Sequence, residues 1–132
     1  MSTEITISAD LYHQYWVSIR VNDVPLRAQI DTGMTQAACE VGLGLGPIAF
    51  DRLAPVLQLP ESVEQDVGGP SPLRIPTGVG RVSIEGLDGS EVQTRIARLR
   101  DNLLGVCFFH RLHDFELHWD LASRAMTLRR MR

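Results

Sequence analysis

The sequence VNDVPLRAQIDTG, residues 21–33, leads an alternating apolar strand directly into a sharp bend. Apolar residues alternate with polar ones along its second half, at Leu26, Ala28 and Ile30. This is the pattern of a strand with one buried face, and Asp31 stands at its end. A carboxylate is costly at the end of a buried strand, so Asp31 is predicted to have a chemical task. Gly33 permits a backbone bend that a Cβ atom would block.

Strand-like alternation continues on both sides of this segment. Residues 15–21 alternate in the same way, and Asn22-Asp23 supplies the turn of a hairpin between the two strands. Further strands are predicted from the same period in four later segments: residues 79–84, 92–96, 115–119 and 126–128. Asp88-Gly89 is typical of a hairpin turn between the first two of these. The sequence therefore predicts an all-β protein with one or two short helices.

Two stretches have helical spacing, and two others are irregular. Residues 50–57 predict a short helix that Pro55 limits or restarts, and residues 106–112 predict another. Three glycines are expected to interrupt any element between residues 40 and 47: Gly42, Gly44 and Gly46. The stretch from Glu61 to Thr77 is rich in Gly and Pro and is predicted to form a long exposed connection or a mobile arm.

Composition fits one globular domain spanning residues 1–132. With 44% hydrophobic and 22% charged residues, the chain can bury a core and is not a disordered protein. A net charge of −3 argues against a nucleic-acid partner bound by bulk charge. All 13 basic residues are Arg, which excludes chemistry that needs a lysine nucleophile or Schiff base.

The lack of a recognisable targeting signal and the spacing of the cysteines both predict a cytoplasmic location. Residues 1–10 carry acidic rather than basic side chains, so no signal peptide is expected, and no apolar stretch reaches the ~18 residues of a membrane span. Cys39 and Cys107 are far apart and lack the C-x-x-C spacing. They are therefore predicted to be small core residues in a reducing compartment rather than a disulfide.

A second motif follows Asp31-Thr32-Gly33 after roughly 70 residues. Leu103-Leu104-Gly105 is an apolar-apolar-glycine unit that precedes a predicted short helix. The order strand–turn–strand, Asp-Thr-Gly, Gly/Pro-rich arm and apolar-apolar-Gly resembles the retropepsin-like (retroviral-type) aspartic peptidases. The resemblance covers most of the chain and looks closer to the non-viral, bacterial branch of that family.

This resemblance implies a closed, barrel-like acid-protease fold and a homodimer. One chain carries one Asp-Thr-Gly, so Asp31 of two subunits would meet across a two-fold axis, share one proton and activate a water. Thr32 and Gly33 would support the active-site loop, and Gly68 and Gly69 would belong to a flap over a peptide or protein substrate. The last strand, Ala125 to Arg130, is the candidate for an interleaved dimer sheet. Neither a cofactor nor a metal is implied.

Three positions depart from the family pattern. Met34 stands where the family usually has Ala or Ser, and Thr35 and Val106 stand where viral members often carry a paired Asp and Arg. The loss of both charged partners leaves no lone buried charge. The segment between Thr35 and Pro60 is also longer than in the viral enzymes. These departures leave the substrate preference and the strength of the dimer open.

Two other functional interpretations remain beside the endopeptidase. A dimeric groove on the same fold would bind peptides with little or no cleavage, and a purely structural β-domain would use Asp31 only to cap a turn. Three histidines near acidic residues also suggest a metal site: His110, His113 and His118. They lack a recognised spacing such as H-E-x-x-H, so a solvated polar surface is the preferred interpretation and no metal is expected.

Overall fold

A computed structural model describes residues 3–36, 38–65, 70–71 and 73–131. In this part of the chain, strands alternate with two short helices and one 3₁₀ turn. The elements follow one another as β1 (Glu4–Ser8), β2 (Trp16–Val21), β3 (Val24–Asp31), β4 (Val41–Leu45), α1 (Pro47–Leu53), a 3₁₀ turn (Ala54–Val56), β5 (Gln58–Gln65), β6 (Leu73–Ile84), β7 (Val92–Arg98), β8 (Leu103–Gly105), α2 (Val106–Phe109), β9 (Phe115–Asp120) and β10 (Ala125–Arg130).

Six of these strands close into a barrel. Neighbours around it follow the order β2-β3-β8-β4-β7-β6, and β6 pairs with β2 to complete the ring. The pairs β3–β8 and β4–β7 are parallel, and the others are antiparallel. β5 extends the sheet beyond the ring by pairing with β6. The predicted closed, all-β architecture with short helices is confirmed.

The β2–β3 hairpin forms as its alternation predicts. Val17 lies opposite Ala28, and Ile19 opposite Leu26. Asn22 and Asp23 have φ angles of 46° and 71°, the left-handed conformation that a tight hairpin turn with two central residues requires. Inward-facing residues of this hairpin join the main core, whose fully buried members include Ile19, Val21, Leu43, Leu45, Ile96, Leu104 and Phe108.

Both helices are short. Pro47 begins α1, where its missing N–H costs no hydrogen bond, and Pro55 lies in the 3₁₀ turn that follows, so the predicted restart of the helix is confirmed. α2 ends at Phe109, earlier than predicted, although turn hydrogen bonds continue to Leu112. None of the described helices is long and apolar enough to span a membrane.

The glycine-rich segment is a buried strand, contrary to prediction. Every residue of β4 is buried, and β4 lies between β7 and β8. A Cβ atom on Gly42 would lie 3.2 Å from the backbone nitrogen of Phe108, and one on Gly44 would collide with the Leu99 side chain. The glycines therefore allow the close approach of neighbouring elements instead of breaking the strand.

The segment predicted to be an irregular arm is largely a β-hairpin. β5 and β6 pair antiparallel, with Val63 opposite Ile75 and Glu61 opposite Thr77. β5 is an outer strand, where Pro60 is tolerated because its missing N–H can face solvent. Gly68 and Gly69, predicted to belong to the flap, lie outside the described residues.

A separate three-stranded sheet has the order β1-β10-β9, all antiparallel. β10 is its central strand, hydrogen-bonded on one edge to β1 and on the other to β9. The prediction that residues 125–130 form the interleaved dimer strand is therefore wrong. Both edges of β10 are used within the same chain, so no edge remains for a partner strand.

Candidate active site

The parallel pairing of β3 with β8 brings the two sequence motifs together. Ile30 lies opposite Leu104, and Asp31 lies opposite Gly105 at the ends of the two strands. Leu104 and Gly105 are buried, whereas Asp31 is half-buried. The ends of two barrel strands therefore hold the Asp31 carboxylate near the protein surface, with buried residues of the barrel beneath it.

Local hydrogen bonds hold the turn after β3. The backbone N–H of Gly33 donates to Asp31 Oδ1 at 2.9 Å, and the N–H of Met34 donates to the Asp31 carbonyl oxygen at 3.2 Å. Thr32 and Gly33 are exposed. One carboxylate oxygen of Asp31 is thus fixed by its own turn, and the turn faces outward, where another molecule can approach.

Met34 fills the space behind this turn. Its side chain is buried in a small apolar cluster with Val41, Ile75 and Ala97, against which Val63, Leu99 and Leu103 also pack. Val63 and Ile75 lie opposite each other in the half of the β5–β6 hairpin nearer its turn, so the cluster joins the Asp31 turn to that part of the hairpin. The sequence showed Met34 only as a departure from a family pattern, and its contacts depend on the pairing of distant strands.

Gly105 makes the close packing of Met34 possible. A Cβ atom at position 105 would lie 2.7 Å from Met34 Cε and 2.8 Å from the Met34 carbonyl oxygen. We expect Gly105→Ala to displace the Asp31 turn and to lower the free energy of unfolding by about 1–3 kcal/mol, as overpacking does. Thermal denaturation followed by circular dichroism measures this loss. An unchanged melting temperature would contradict the close packing.

Cys39 and Cys107 form a disulfide, so the prediction of two separate core thiols is wrong. Their Cα atoms lie 5.2 Å apart. Because β3 and β8 run parallel, the loop after β3 and the helix α2 after β8 emerge from the same end of the sheet, which brings the two cysteines together. Arg111 Nη2 also donates to the Cys39 carbonyl at 3.1 Å. The cytoplasmic location loses the support of free cysteines and stays a prediction.

The segment before β2 is hydrogen-bonded to β3 on the edge opposite β8. The N–H of Ile30 donates to the Tyr15 carbonyl at 2.8 Å. Asp10 organises this segment, since it accepts hydrogen bonds from the amides of Tyr12 and Gln14 and from the Trp16 indole. These bonds, chiefly that from Gln14, lower the pKa of Asp10. The carboxylate therefore stabilises the fold above its unfolded-state pKa and loses this effect on acidification.

The predicted metal ligands do not converge. His110 Nδ1 lies 3.9 Å from Cys39 Sγ, His113 is exposed in the turn after α2, and His118 is exposed on β9. Within the residues that the structure describes, no group of three or more His, Cys, Asp or Glu side chains is placed to hold a metal ion.

No protein-family model matches the sequence, and no curated protein matches it either. Solved structures do match. A retropepsin-like aspartic protease from Rickettsia conorii superposes with a TM-score of 0.68 and 17% identity, covering 95% of this chain and 89% of that one. The chain has the retropepsin-like fold. The EIAV protease in complex with an inhibitor also superposes on this chain, with a TM-score of 0.59 and 17% identity over 81% of this chain and 95% of that one.

Proposed function

We propose that this retropepsin-like chain is an aspartic endopeptidase that acts as a homodimer. The observation that carries the proposal is the position of Asp31, half-buried at the end of β3 beside Gly105, in an outward-facing turn of this fold. A single chain contributes one such aspartate, so the two-fold arrangement of two chains supplies the pair. Thr32 and Gly33 follow Asp31 in the same turn, and they would lie where the active-site loops of the two subunits meet.

The pair would cleave a peptide bond by general acid–base catalysis. One Asp31 carboxylate accepts a proton from a water molecule, whose oxygen attacks the carbonyl carbon of the peptide bond. The protonated Asp31 of the other subunit donates its proton to the carbonyl oxygen. The tetrahedral intermediate then collapses: the C–N bond breaks as the protonated carboxyl group gives its proton to the leaving nitrogen, and the other carboxylate accepts a hydroxyl proton from the intermediate, which leaves a carboxylic acid product and restores the pair with one proton. Two carboxyl groups that share one proton perform both roles.

An extended peptide fits the surroundings of Asp31 best. The β5–β6 hairpin provides a long strand pair next to the Asp31 turn, and extended peptides bind through strand-like backbone hydrogen bonds. The Met34 cluster is apolar, and Val63, Leu99 and Leu103 are only partly buried at its margin. We therefore expect apolar side chains on the residues next to the cleaved bond.

Cleavage of a diverse peptide mixture, identified by mass spectrometry at several pH values, tests the proposal. Because the site needs two chains, the rate per chain is expected to rise with protein concentration until the dimer is fully formed. Cuts made by the wild type and not by Asp31→Asn would support the endopeptidase. A confirmed dimer that binds peptides without cutting them would overturn it in favour of a peptide-binding module.

A further inference from the structure

An apolar cleft lies between the start of β3 and α1, at the opposite end of β3 from Asp31. It has a volume of about 370 Å³ and is open to solvent. Leu53 is buried at one side of it, whereas Ile48 is 79% exposed. We call it the α1 cleft, and its apolar walls include Val24, Leu26, Pro47, Ile48, Ala49 and Leu53.

Two arginines also line the α1 cleft: Arg52 on α1 and Arg100 in the connection between β7 and β8. Six arginines of the chain form ion pairs with Asp or Glu. Within the described residues, the side chains of Arg52 and Arg100 form neither an ion pair nor a hydrogen bond. Because a guanidinium stays charged at any ordinary pH, the cleft holds two positive charges that no carboxylate of the described chain neutralises.

The acidic residues nearest in sequence do not change this charge. Arg98 Nε and Nη2 donate to the two carboxylate oxygens of Asp51 at 3.0 and 3.3 Å, so Asp51 is already engaged beside Arg52. Asp101 follows Arg100 but is not one of the residues that line the cleft, and the described lining contains no Asp or Glu. The α1 cleft therefore combines apolar walls with an excess of positive charge.

Asn102 fixes the walls of the α1 cleft relative to one another. Its Oδ1 accepts a hydrogen bond from the Gly46 amide at 2.8 Å, and its Nδ2 donates to the Arg27 carbonyl of β3 at 3.0 Å. The carbonyl of Asn102 also accepts a hydrogen bond from the Gln29 amide at 2.9 Å. One residue therefore joins α1, β3 and the start of β8. The cleft is formed before a ligand binds, which lowers the entropic cost of binding.

β3 and β8 begin beside the α1 cleft and end at the candidate active site. Leu26 lines the cleft, and Asp31 lies five residues further along β3. A strand rises about 3.3 Å per residue, so the two places are roughly 17 Å apart along β3. An extended peptide covers that distance with about five or six residues. A single substrate chain is therefore long enough to reach both.

We propose that the α1 cleft binds a second segment of the peptide or protein substrate, one in which acidic side chains flank apolar ones. The inference rests on the proposed function, because it assigns the cleft to the substrate of the Asp31 pair. The apolar side chains of the segment cover the exposed walls of the cleft. Its carboxylates accept hydrogen bonds from Arg52 and Arg100, each of which can hold a carboxylate with two parallel bonds. The segment lies about five residues or more from the cleaved bond.

The origin of the two arginines explains why the segment carries two carboxylates. Arg52 follows Ile48 by four residues, so the two side chains are neighbours on one face of α1. Arg100 belongs to a different element, the connection before β8. A ligand with one carboxylate leaves one of the two guanidinium groups without a partner, whereas two carboxylates around an apolar centre use both.

Binding of a defined peptide tests the proposal independently of cleavage. The probe is the capped hexapeptide Gly-Glu-Leu-Leu-Glu-Gly, and its control has Gln in place of both Glu residues. NMR titration of isotope-labelled Asp31→Asn protein, which leaves the probe uncut, reports where each peptide binds and how tightly. We expect the probe to shift the amide signals of residues 24–26, 47–53 and 100–102. The control peptide should bind at least about fivefold more weakly, because it has no charge to pair with the arginines.

Replacement of the two arginines tests the same contacts from the side of the protein. Arg52→Gln/Arg100→Gln is expected to weaken binding of the probe at least about fivefold, down to the affinity of the Gln peptide. Arg74→Gln/Arg124→Gln is the matched control, because it removes the same charge from two exposed arginines outside the cleft. This control should bind the probe as tightly as the parent protein does.

Ile48→Glu gives a further measurement on an exposed residue whose replacement leaves the core intact. Glu placed four residues before Arg52 has the spacing and order that favour an ion pair on a helix, so it competes with the probe for Arg52. We expect it to bind the probe at least about threefold more weakly than Ile48→Gln, which loses the same apolar side chain without gaining a charge. Equal affinities of these two variants would contradict the role of Arg52.

The outcomes separate this proposal from the proposed function. Signal shifts confined to residues 31–36 and 103–105, or equal affinities for the Glu and Gln peptides, would overturn the docking site. Asp31-dependent cleavage by the wild type without binding at the α1 cleft would also disprove the docking site but keep the endopeptidase. Binding at the α1 cleft in a protein that cleaves no peptide would overturn the endopeptidase and keep the cleft as a site for acidic, apolar segments.

Discussion

Asp31→Asn is expected to abolish peptide cleavage, with a loss of about a thousandfold or more, while the protein stays folded and dimeric. The amide cannot accept a proton from water as a carboxylate does, so the pair loses its base. The fold is expected to persist because Asn is nearly the same size and its Oδ1 can still accept the 2.9 Å hydrogen bond from the Gly33 amide. Cleavage, sedimentation and thermal denaturation of the purified variant measure the three properties.

Mixing wild type with Asp31→Asn tests whether two subunits share one catalytic pair. Equal amounts of wild type and Asp31→Asn that exchange subunits freely leave roughly a quarter of the dimers with two aspartates. A shared pair therefore predicts that activity per total protein falls to about a quarter of the all-wild-type value, whereas independent sites predict about half. Half activity would contradict the shared pair, and full activity in pure Asp31→Asn would exclude Asp31 as the catalytic residue.

Periodicity and motif order predicted the fold because both are visible in the sequence without knowledge of which segments are in contact. The β2–β3 hairpin has its alternation and its turn within adjacent residues, so the sequence alone specifies it. Asp31 and Gly105 were singled out at the ends of apolar segments, and parallel pairing of those segments brings the two residues opposite each other. The candidate site could therefore be located in the chain before its geometry was known.

What the sequence could not predict depends on contacts between distant residues. Gly42 and Gly44 are typical of an irregular segment, but they lie in a buried strand that Phe108 and Leu99 approach closely. The partners of β10 were mistaken because alternation identifies a strand without identifying its neighbours. Cys39 and Cys107 meet only because β3 and β8 are parallel, so that the segments after the two strands lie side by side. The spacing of the two cysteines in the sequence does not predict this.

The disulfide is expected to be a major source of stability. It closes a loop between residues 68 positions apart, and a cross-link of that length lowers the entropy of the unfolded chain by an amount worth about 4 kcal/mol. The double variant Cys39→Ser/Cys107→Ser should therefore melt roughly 10–15 °C below the oxidised wild type. Differential scanning calorimetry with and without a reducing agent measures the difference.

Reduction of the wild type provides the matched control for this prediction. Reduced wild type and the double variant should melt at similar temperatures, and the reducing agent should have no effect on the double variant, which has no disulfide. Cys39 lies in the loop between β3 and β4, and Cys107 lies in the helix directly after Gly105, so the bond joins the two segments that follow the candidate site. Loss of the bond should therefore also loosen the Asp31 turn, seen as faster amide hydrogen exchange over residues 32–36 than in a distant strand such as β1. Equal melting temperatures for oxidised and reduced wild type would show that the bond adds no stability and that packing alone holds the loop against α2.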